Sequence, residues 1–208
     1  MDTRVMYKLI DAMRHYECTM CNALDIKRTQ RVRTLLYEAV NDVTFRKKFL
    51  KHGGFCSEHA REVRELGAPL NHAILYGALY QHIRDPLNKG RHVTRECMLC
   101  EGDALNVRAI HTQMLEAFSE PIFQKSFAEK GTLCLDHLQD VQQSLNKNSD
   151  MATWVRNTVI NTYDSLNEHL ESIKQKHDYR HASEEWSAAE KKAWKQMSAL
   201  LSSKKTYY

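Results

Sequence analysis

Four short stretches decide the fold of this chain: Glu17-Cys-Thr-Met-Cys21, Gly54-Phe-Cys-Ser-Glu-His59, Glu96-Cys-Met-Leu-Cys100 and Thr132-Leu-Cys-Leu-Asp-His137. They contain a C-x-x-C followed by a C-x-x-H, twice, and they use all six cysteines. Three thiolates and one imidazole complete the tetrahedral shell of a closed metal site. The sequence therefore predicts two metal centres, with the ligands Cys18, Cys21, Cys56, His59, Cys97, Cys100, Cys134 and His137.

The repeat extends beyond the ligands. With Cys56 placed on Cys134, Phe45-Arg-Lys-Lys-Phe49 falls on Phe123-Gln-Lys-Ser-Phe127. The step from the second cysteine of the C-x-x-C to the next cysteine is 35 positions in one copy and 34 in the other. This agreement indicates an internal duplication. We predict two tandem helical repeats, residues 1–90 and 91–175, followed by a linker and a C-terminal amphipathic helix in residues 176–208.

The composition favours an all-α fold. The chain has only 7 Gly and 3 Pro among 208 residues, and no segment shows sustained strand alternation. Asn71 and Asp150 are the expected N-caps of two helices, and a last helix from Ser183 to about Leu201 is expected to dock on the body of the protein or bind a partner. The apolar spacing predicts the other helices at about 3–15, 22–40, 57–66, 71–85, 103–118, 135–144 and 150–175.

Ligand spacing leaves two ways to pair the motifs. The simpler arrangement is sequential, with Cys18, Cys21, Cys56 and His59 in one site and the other four ligands in the second, and we expect this pairing. In a duplicated fold the halves could instead exchange ligands, so that the first C-x-x-C meets the second C-x-x-H.

Zinc is the expected metal, with two ions per chain, because Cys₃His is a common set of structural zinc ligands. Iron–sulfur clusters are the main alternative, although ferredoxin-type cysteine runs are absent. Redox-active thiols without metal, or six buried cysteines with no metal, are further alternatives. The C-x-x-C motifs do not lie in a βαβ pattern, which argues against a thioredoxin-like role.

The sequence contains no signature that indicates catalysis. It lacks a phosphate-binding glycine loop, a G-x-S-x-G, an H-E-x-x-H and a dinucleotide fingerprint. We predict no catalytic residues and leave open whether the protein is an enzyme. The favoured function is a non-catalytic, zinc-stabilised binding module or scaffold with a protein partner, and the alternative is an electron-transfer protein with two Cys₃His-ligated clusters.

Charge and hydropathy limit the location and the partners. Residues 1–96 carry 17 Lys+Arg against 11 Asp+Glu, and residues 97–208 carry 13 against 15. The basic first half could attract nucleic acid, but such domains are usually more basic, and a solvated helix surface is favoured. No apolar run is long enough to span a bilayer, so we expect no membrane association and a cytoplasmic location.

The doubled C-x-x-C and C-x-x-H layout resembles an uncharacterised family of helical prokaryotic proteins of unknown function. The four stretches quoted above carry the resemblance, together with the ending Asp178-Tyr-Arg-His181 and the helix with Trp186 and Trp194. The second copy has Thr132 where the first has Gly54. The resemblance implies a soluble intracellular protein and assigns no activity.

Overall fold

The fold is helical, as predicted. The computed structural model describes residues 1–93, 95–177 and 184–202, and over these residues it contains no β-strand. A π-helical turn, Leu35–Ala39, continues the second helix. Among the described helices, none combines the length and apolarity needed to cross a membrane. The described part of the chain contains ten α-helices: α1 (Thr3–Asp11), α2 (Thr19–Thr34), α3 (Val43–Lys51), α4 (Ser57–Glu65), α5 (Pro69–Asn88), α6 (Met98–Ala117), α7 (Pro121–Lys130), α8 (Leu135–Ser144), α9 (Asp150–Lys176) and α10 (Glu190–Leu201).

The same order of four helices follows each C-x-x-C motif. α2, α3, α4 and α5 follow the first, and α6, α7, α8 and α9 follow the second. In each copy the first helix begins inside the C-x-x-C, and the third begins directly after the cysteine of the C-x-x-H. The predicted helices at 22–40 and 103–118 therefore start several residues earlier than expected.

The chain divides into two compact units. Unit one contains Met1–Leu24 and the described residues from Arg108 onward, and unit two contains Asp25–Val107. This division differs from the predicted modules 1–90, 91–175 and 176–208. The first residues of α2 belong to unit one and the first residues of α6 to unit two, because each C-x-x-C packs with the C-x-x-H of the other copy.

An aromatic cluster forms the centre of unit one. Phe118, Phe123 and Phe127 are fully buried, and the ring of Phe118 meets the other two edge-on at centroid distances of 5.6 and 5.2 Å. Trp154 of α9 packs against the same rings. The Phe-x-x-x-Phe motif therefore places two rings on one face of α7, where they support the buried Leu133 that precedes Cys134.

Unit two uses its own Phe-x-x-x-Phe motif in a related way. Phe49 is fully buried and lies edge-on to Phe55 at 4.9 Å. Gly54, which directly precedes Phe55 in the sequence, has φ +91°. A Cβ there would approach Leu79 Cδ2 to 2.7 Å. Only glycine adopts this conformation easily. Thr132, its counterpart in the second copy, is not at a positive φ, which explains why that copy needs no glycine.

Two predicted helix caps are wrong. α9 is capped by Ser149, whose Oγ accepts a hydrogen bond from Ala152 N, rather than by Asp150. Asn71 lies inside the first turn of α5 and donates from Nδ2 to the carbonyl of Leu36 at 2.5 Å. That carbonyl lies in the π-helical turn, where the regular i to i+4 pattern is interrupted.

The terminal helix docks on α9, as expected, but starts later. Residues 184–189 are not helical, and the expected start at Ser183 lies outside the described residues, as do Asp178–His181. Ser187 and Glu190 form a reciprocal capping box at the start of α10. Ala193 and Leu200 are buried in the core of unit one, whereas Trp194 is half-exposed.

Candidate metal centres

The predicted ligands are carried by the first turns of four helices. Cys56 and Cys134 are the N-cap residues of α4 and α8, with nearly identical backbone angles of φ −65°, ψ 168° and φ −73°, ψ 167°. His59 and His137 follow three residues later on the same helix face. Cys18 and Cys97 immediately precede α2 and α6. The partial positive charge of a helix N-terminus stabilises a nearby anion.

Site one, in unit one, consists of Cys18, Cys21, Cys134 and His137. The Nδ1 atom of His137 lies 3.3, 3.5 and 3.2 Å from the Sγ atoms of Cys18, Cys21 and Cys134. The Sγ atoms of Cys21 and Cys134 are 4.0 Å apart. All three cysteines are buried, with exposed fractions of 3–6%.

Site two, in unit two, consists of Cys56, His59, Cys97 and Cys100. The Nδ1 atom of His59 lies 3.2, 3.3 and 3.4 Å from the three sulfur atoms. Cys56 Sγ and Cys100 Sγ are 3.8 Å apart. The histidine is fully buried, whereas the three cysteines are partly exposed.

Both sets of donors fit the shell of one tetrahedral ion. Bond lengths of about 2.3 Å to sulfur and about 2.05 Å to nitrogen give a zinc tetrahedron sulfur–sulfur edges of about 3.8 Å and nitrogen–sulfur edges of about 3.5 Å. The observed sulfur–sulfur separations of 3.8 and 4.0 Å and nitrogen–sulfur separations of 3.2–3.5 Å lie close to these edges. All six cysteines lie in the described residues and none forms a disulfide.

The predicted sequential pairing is wrong. Each site takes its C-x-x-C from one copy and its C-x-x-H from the other, so the ligands are exchanged between the copies. The fold is therefore not two repeats that each close their own site. Each site joins segments more than forty or a hundred positions apart, such as Cys56 with Cys100 and Cys21 with Cys134.

The lengths of α2 and α3 disfavour a site formed by the C-x-x-C and the C-x-x-H of the same copy. α2 and its π-helical turn carry the chain away from Cys18 over 16 and 5 residues, a distance of about 30 Å at 1.5 Å per residue. α3 has nine residues and would recover at most about 14 Å even if it ran straight back. The two connections, residues 40–42 and 52–56, would then have to supply the remaining distance of about 16 Å to close a sequential site.

A buried carboxylate completes site two. Asp103, in the second turn of α6, accepts a hydrogen bond from the Nε2 atom of His59 at 2.9 Å, since Nδ1 of that ring faces the sulfur atoms. Nε and Nη2 of Arg28 donate to the same carboxylate oxygen at 2.9 and 2.7 Å. Arg28 also pairs with Glu62 at 3.0 Å. The orientation of the histidine ring is therefore fixed from both nitrogen atoms.

Arg31 fixes the first turn of α6 by binding its backbone carbonyl groups. Its two terminal nitrogen atoms donate to the carbonyl oxygens of Leu99 and Met98 at 3.1 and 2.9 Å, and one lies 3.7 Å from Asp103. A Cβ at Gly102 would overlap the guanidinium group, so glycine makes room for it. Arg31 therefore links α2 to the first turn of α6, which carries the second C-x-x-C.

Site one has no equivalent carboxylate. The residue three positions after Cys21 is Leu24, where site two has Asp103 three positions after Cys100. Among the described residues, the Nε2 atom of His137 has no hydrogen-bond partner. The hydroxyl of Tyr163 donates to the carbonyl of Leu133, next to Cys134, at 2.9 Å.

The donors influence each other's ionisation. Burial lowers the pKa of His59, but Asp103 and the adjacent sulfur atoms outweigh it and raise the pKa to about 10. Burial also opposes ionisation of Cys97, yet hydrogen bonds from His59 and from backbone N–H groups lower its pKa to about 6. Burial and the neighbouring Cys97 charge raise the pKa of Cys100 to about 12. A bound cation would relieve the repulsion that keeps the second thiol protonated.

Sequence reasoning missed Asp103, Arg28 and Arg31. The signal for Asp103 was its spacing: positions 97, 100 and 103 share one face of a helix. Both arginines belong to the basic first half, which the sequence predicts to be a solvated helix surface. Among the described residues, His, Cys, Asp and Glu side chains form no further group with metal-ligand geometry beyond sites one and two.

Comparison with known proteins supports the family resemblance and adds no activity. The chain is 29% identical over 198 residues to an uncharacterized 23.9 kDa protein in the xynA 3' region of Caldicellulosiruptor sp. (strain Rt8B.4), an alignment that covers 89% of this chain and 95% of that protein. No solved structure matches. A family of unknown function, DUF6062, matches residues 79–206, a span that contains one half of each site. This chain therefore belongs to the DUF6062 family of unknown function.

Proposed function

We propose that this protein is a structural zinc protein in which site one and site two each hold one Zn²⁺, and that it acts as a non-catalytic binding module. The observation that carries the proposal is the mutual distance of the donors. In each site all four ligand atoms lie within 4.8 Å of one another, as a single ion requires.

The closed ligand set supports a structural role rather than a catalytic one. Four protein donors fill a tetrahedral shell, whereas a catalytic zinc keeps a position for water or substrate. Zinc binding to such a set in small peptides supplies about 10–16 kcal/mol. This free energy is comparable with the whole stability of a typical domain, about 5–15 kcal/mol. The ions would therefore determine whether each unit stays folded.

The same distances speak against the iron–sulfur alternative. A cluster spreads its four protein ligands over at least two iron atoms, so ligands on different irons are separated by the width of the cluster. In each site all four donor atoms lie within 4.8 Å of one another, which leaves no room for a cluster between them. This supports one ion per site.

The surface supports a protein partner more than nucleic acid. Arg28 and Arg31, from the basic first half, are engaged with Asp103 and with the backbone of α6, so they do not form a free anion-binding face. Tyr37, Tyr80 and Trp194 have exposed fractions of 63%, 57% and 50%. Aromatic residues of this kind are enriched at protein interfaces. Unoxidised thiols fit the reducing cytoplasm, which we propose as the location.

Elemental analysis of natively purified protein tests the metal. We expect two zinc ions per chain, no iron and no visible absorption. A brown preparation containing iron and sulfide would replace zinc with clusters, and the absence of both metals would remove the proposal. The choice of partner is tested by retention on DNA and RNA at low salt, where a steeply salt-dependent interaction would favour nucleic acid over a protein partner.

A further inference from the structure

We propose that the two zinc sites are unequal: Asp103 is the positioning residue that makes site two hold its ion more tightly than site one. The inference rests on the proposed function, because it requires that both sites bind zinc. It concerns a difference between two copies of one motif that the ligand sequence alone does not show.

The first argument is the fixed orientation of His59. Its Nδ1 atom faces three sulfur atoms at 3.2–3.4 Å, and its Nε2 atom is held by Asp103 at 2.9 Å. A carboxylate on the far nitrogen fixes the tautomer that binds metal and increases the basicity of the ring. The imidazole of site two is therefore ready for an ion before the ion arrives.

The second argument is that Asp103 itself cannot move away. Arg28 donates two hydrogen bonds to one of its oxygens at 2.9 and 2.7 Å, and Arg31 lies 3.7 Å from the other oxygen. The residue is 5% exposed. A Zn²⁺ with three thiolates and a neutral imidazole has a formal charge of −1, so an isolated aspartate would repel it. The two guanidinium groups offset this repulsion.

The third argument is the contrast with site one. Leu24 occupies the position that corresponds to Asp103, and it packs in the apolar core of unit one. Within the described residues, nothing holds the far nitrogen of His137. Loss of an outer partner of a metal ligand typically costs 10–100-fold in affinity, so we expect a difference of about that size between the sites.

The exposure of the sulfur atoms should make zinc leave site two faster than site one when a chelator is added, although site two binds it more tightly. The sulfur atoms of site one are buried, with exposed fractions of 3–6%, whereas those of site two are partly exposed. Burial slows the approach of a chelator without strengthening the bonds to zinc. The ranking must therefore be measured at equilibrium, and it predicts a range of free zinc in which site two is filled and site one is empty.

The test uses the intact chain in zinc buffers of decreasing free concentration. Native mass spectrometry counts the bound ions, and alkylation followed by peptide mapping identifies the free thiols. We expect a one-ion species whose alkylated residues are Cys18, Cys21 and Cys134, with Cys56, Cys97 and Cys100 protected. Protection of site one in that species, or loss of both ions in one step, would overturn the inference while leaving the zinc proposal intact. Failure to bind any zinc would remove the zinc proposal itself.

Asp103→Asn tests the assigned residue directly. We expect zinc affinity at site two to fall about 10–100-fold while site one is unchanged. Glu65→Gln is the matched control, because Glu65 lies on α4 with His59 but its exposed side chain pairs with Arg61 at 3.8 Å, and it should leave both affinities unchanged. In the zinc-loaded protein, the Nε2–H resonance of His59 should shift in Asp103→Asn only. Equal behaviour of the two variants would show that the carboxylate has only a general structural role.

Discussion

The peptide N–H of Thr19 donates a hydrogen bond of 2.9 Å to the carbonyl oxygen of Thr132. Thr19 directly follows Cys18, and Thr132 precedes Cys134 by two positions, so this bond brings the first C-x-x-C to the second C-x-x-H. Glu96 N donates in a comparable way to the carbonyl of His52, next to site two, at 2.9 Å. Backbone hydrogen bonds therefore join the same pairs of segments that the two exchanged sites join.

Removal of zinc is expected to unfold much of the protein. A chelator such as EDTA should lower the helical circular dichroism signal and the urea midpoint, since the zinc term is of the same size as the total stability. EDTA presaturated with zinc is the control. Unchanged unfolding after complete removal of the metal would show that the apolar cores carry the fold alone.

The aromatic core of unit one gives a prediction about packing. Phe127→Ala should lower the free energy of unfolding by about 3–5 kcal/mol, because it removes a fully buried ring. Ile122→Ala, on the same helix, truncates a side chain that is 46% exposed and should cost far less. Urea titration of both zinc-loaded variants makes the comparison. Similar losses would contradict the assigned core.

Two adjacent residues at the start of α9 should contribute differently to stability. Ser149→Ala should destabilise by about 1 kcal/mol because the hydroxyl caps Ala152 N. Asp150→Asn keeps the cap provided by the Ser149 hydroxyl and loses only a favourable charge at the helix N-terminus, worth about 0.3–1 kcal/mol at an exposed position. Thermal unfolding in a fixed zinc buffer measures both. A larger effect at Asp150 would restore the cap that the sequence predicts.

The carboxylate of Glu190 gives a prediction about pH. Hydrogen bonds from Ser172, from Lys176 and from the backbone of Ser187 lower its pKa from 4.5 to about 2. Its stabilisation is therefore fully present above about pH 4.5 and is lost as the pH falls towards 2. Glu190→Gln should be less stable than the wild type at pH 7.

The lowered pKa of Glu190 also predicts how the effect of Glu190→Gln changes with pH. The difference in urea midpoint between the two proteins should shrink as the pH falls from 4.5 towards 2, because the wild-type carboxylate becomes protonated. Loss of zinc at acid pH would itself unfold both proteins, so the difference is compared only over the pH range in which both still hold two zinc ions by native mass spectrometry. A difference that does not change with pH would show that the ion pair with Lys176 contributes nothing.

The sequence predicted local features well. The eight ligands are the ones that the structure gathers into two groups, and α8 runs over the predicted residues 135–144. These successes rest on spacing within one helix, which periodicity determines. The capping box of Ser187 and Glu190 was also visible in the sequence and would have placed the start of α10 within two residues of Glu190.

The failures all concern contacts between distant segments. Loop lengths of 35 and 34 positions are nearly equal, so they cannot show which C-x-x-H a C-x-x-C will meet. The greater length of α2 compared with α3 disfavours a site closed within one copy. Asp103 was missed because its role depends on Arg28 and His59, which lie on other helices. Such a network has no signature in any one stretch.

The most direct test of the central claim counts zinc in two double variants that share one substitution. Cys21→Ser with Cys134→Ser damages site one twice and should leave one ion per chain. Cys21→Ser with Cys56→Ser damages both sites and should leave none. Native mass spectrometry of the two proteins measures this difference. The reverse result, no ion in the first variant and one in the second, would show that the ligands pair sequentially and would contradict the account.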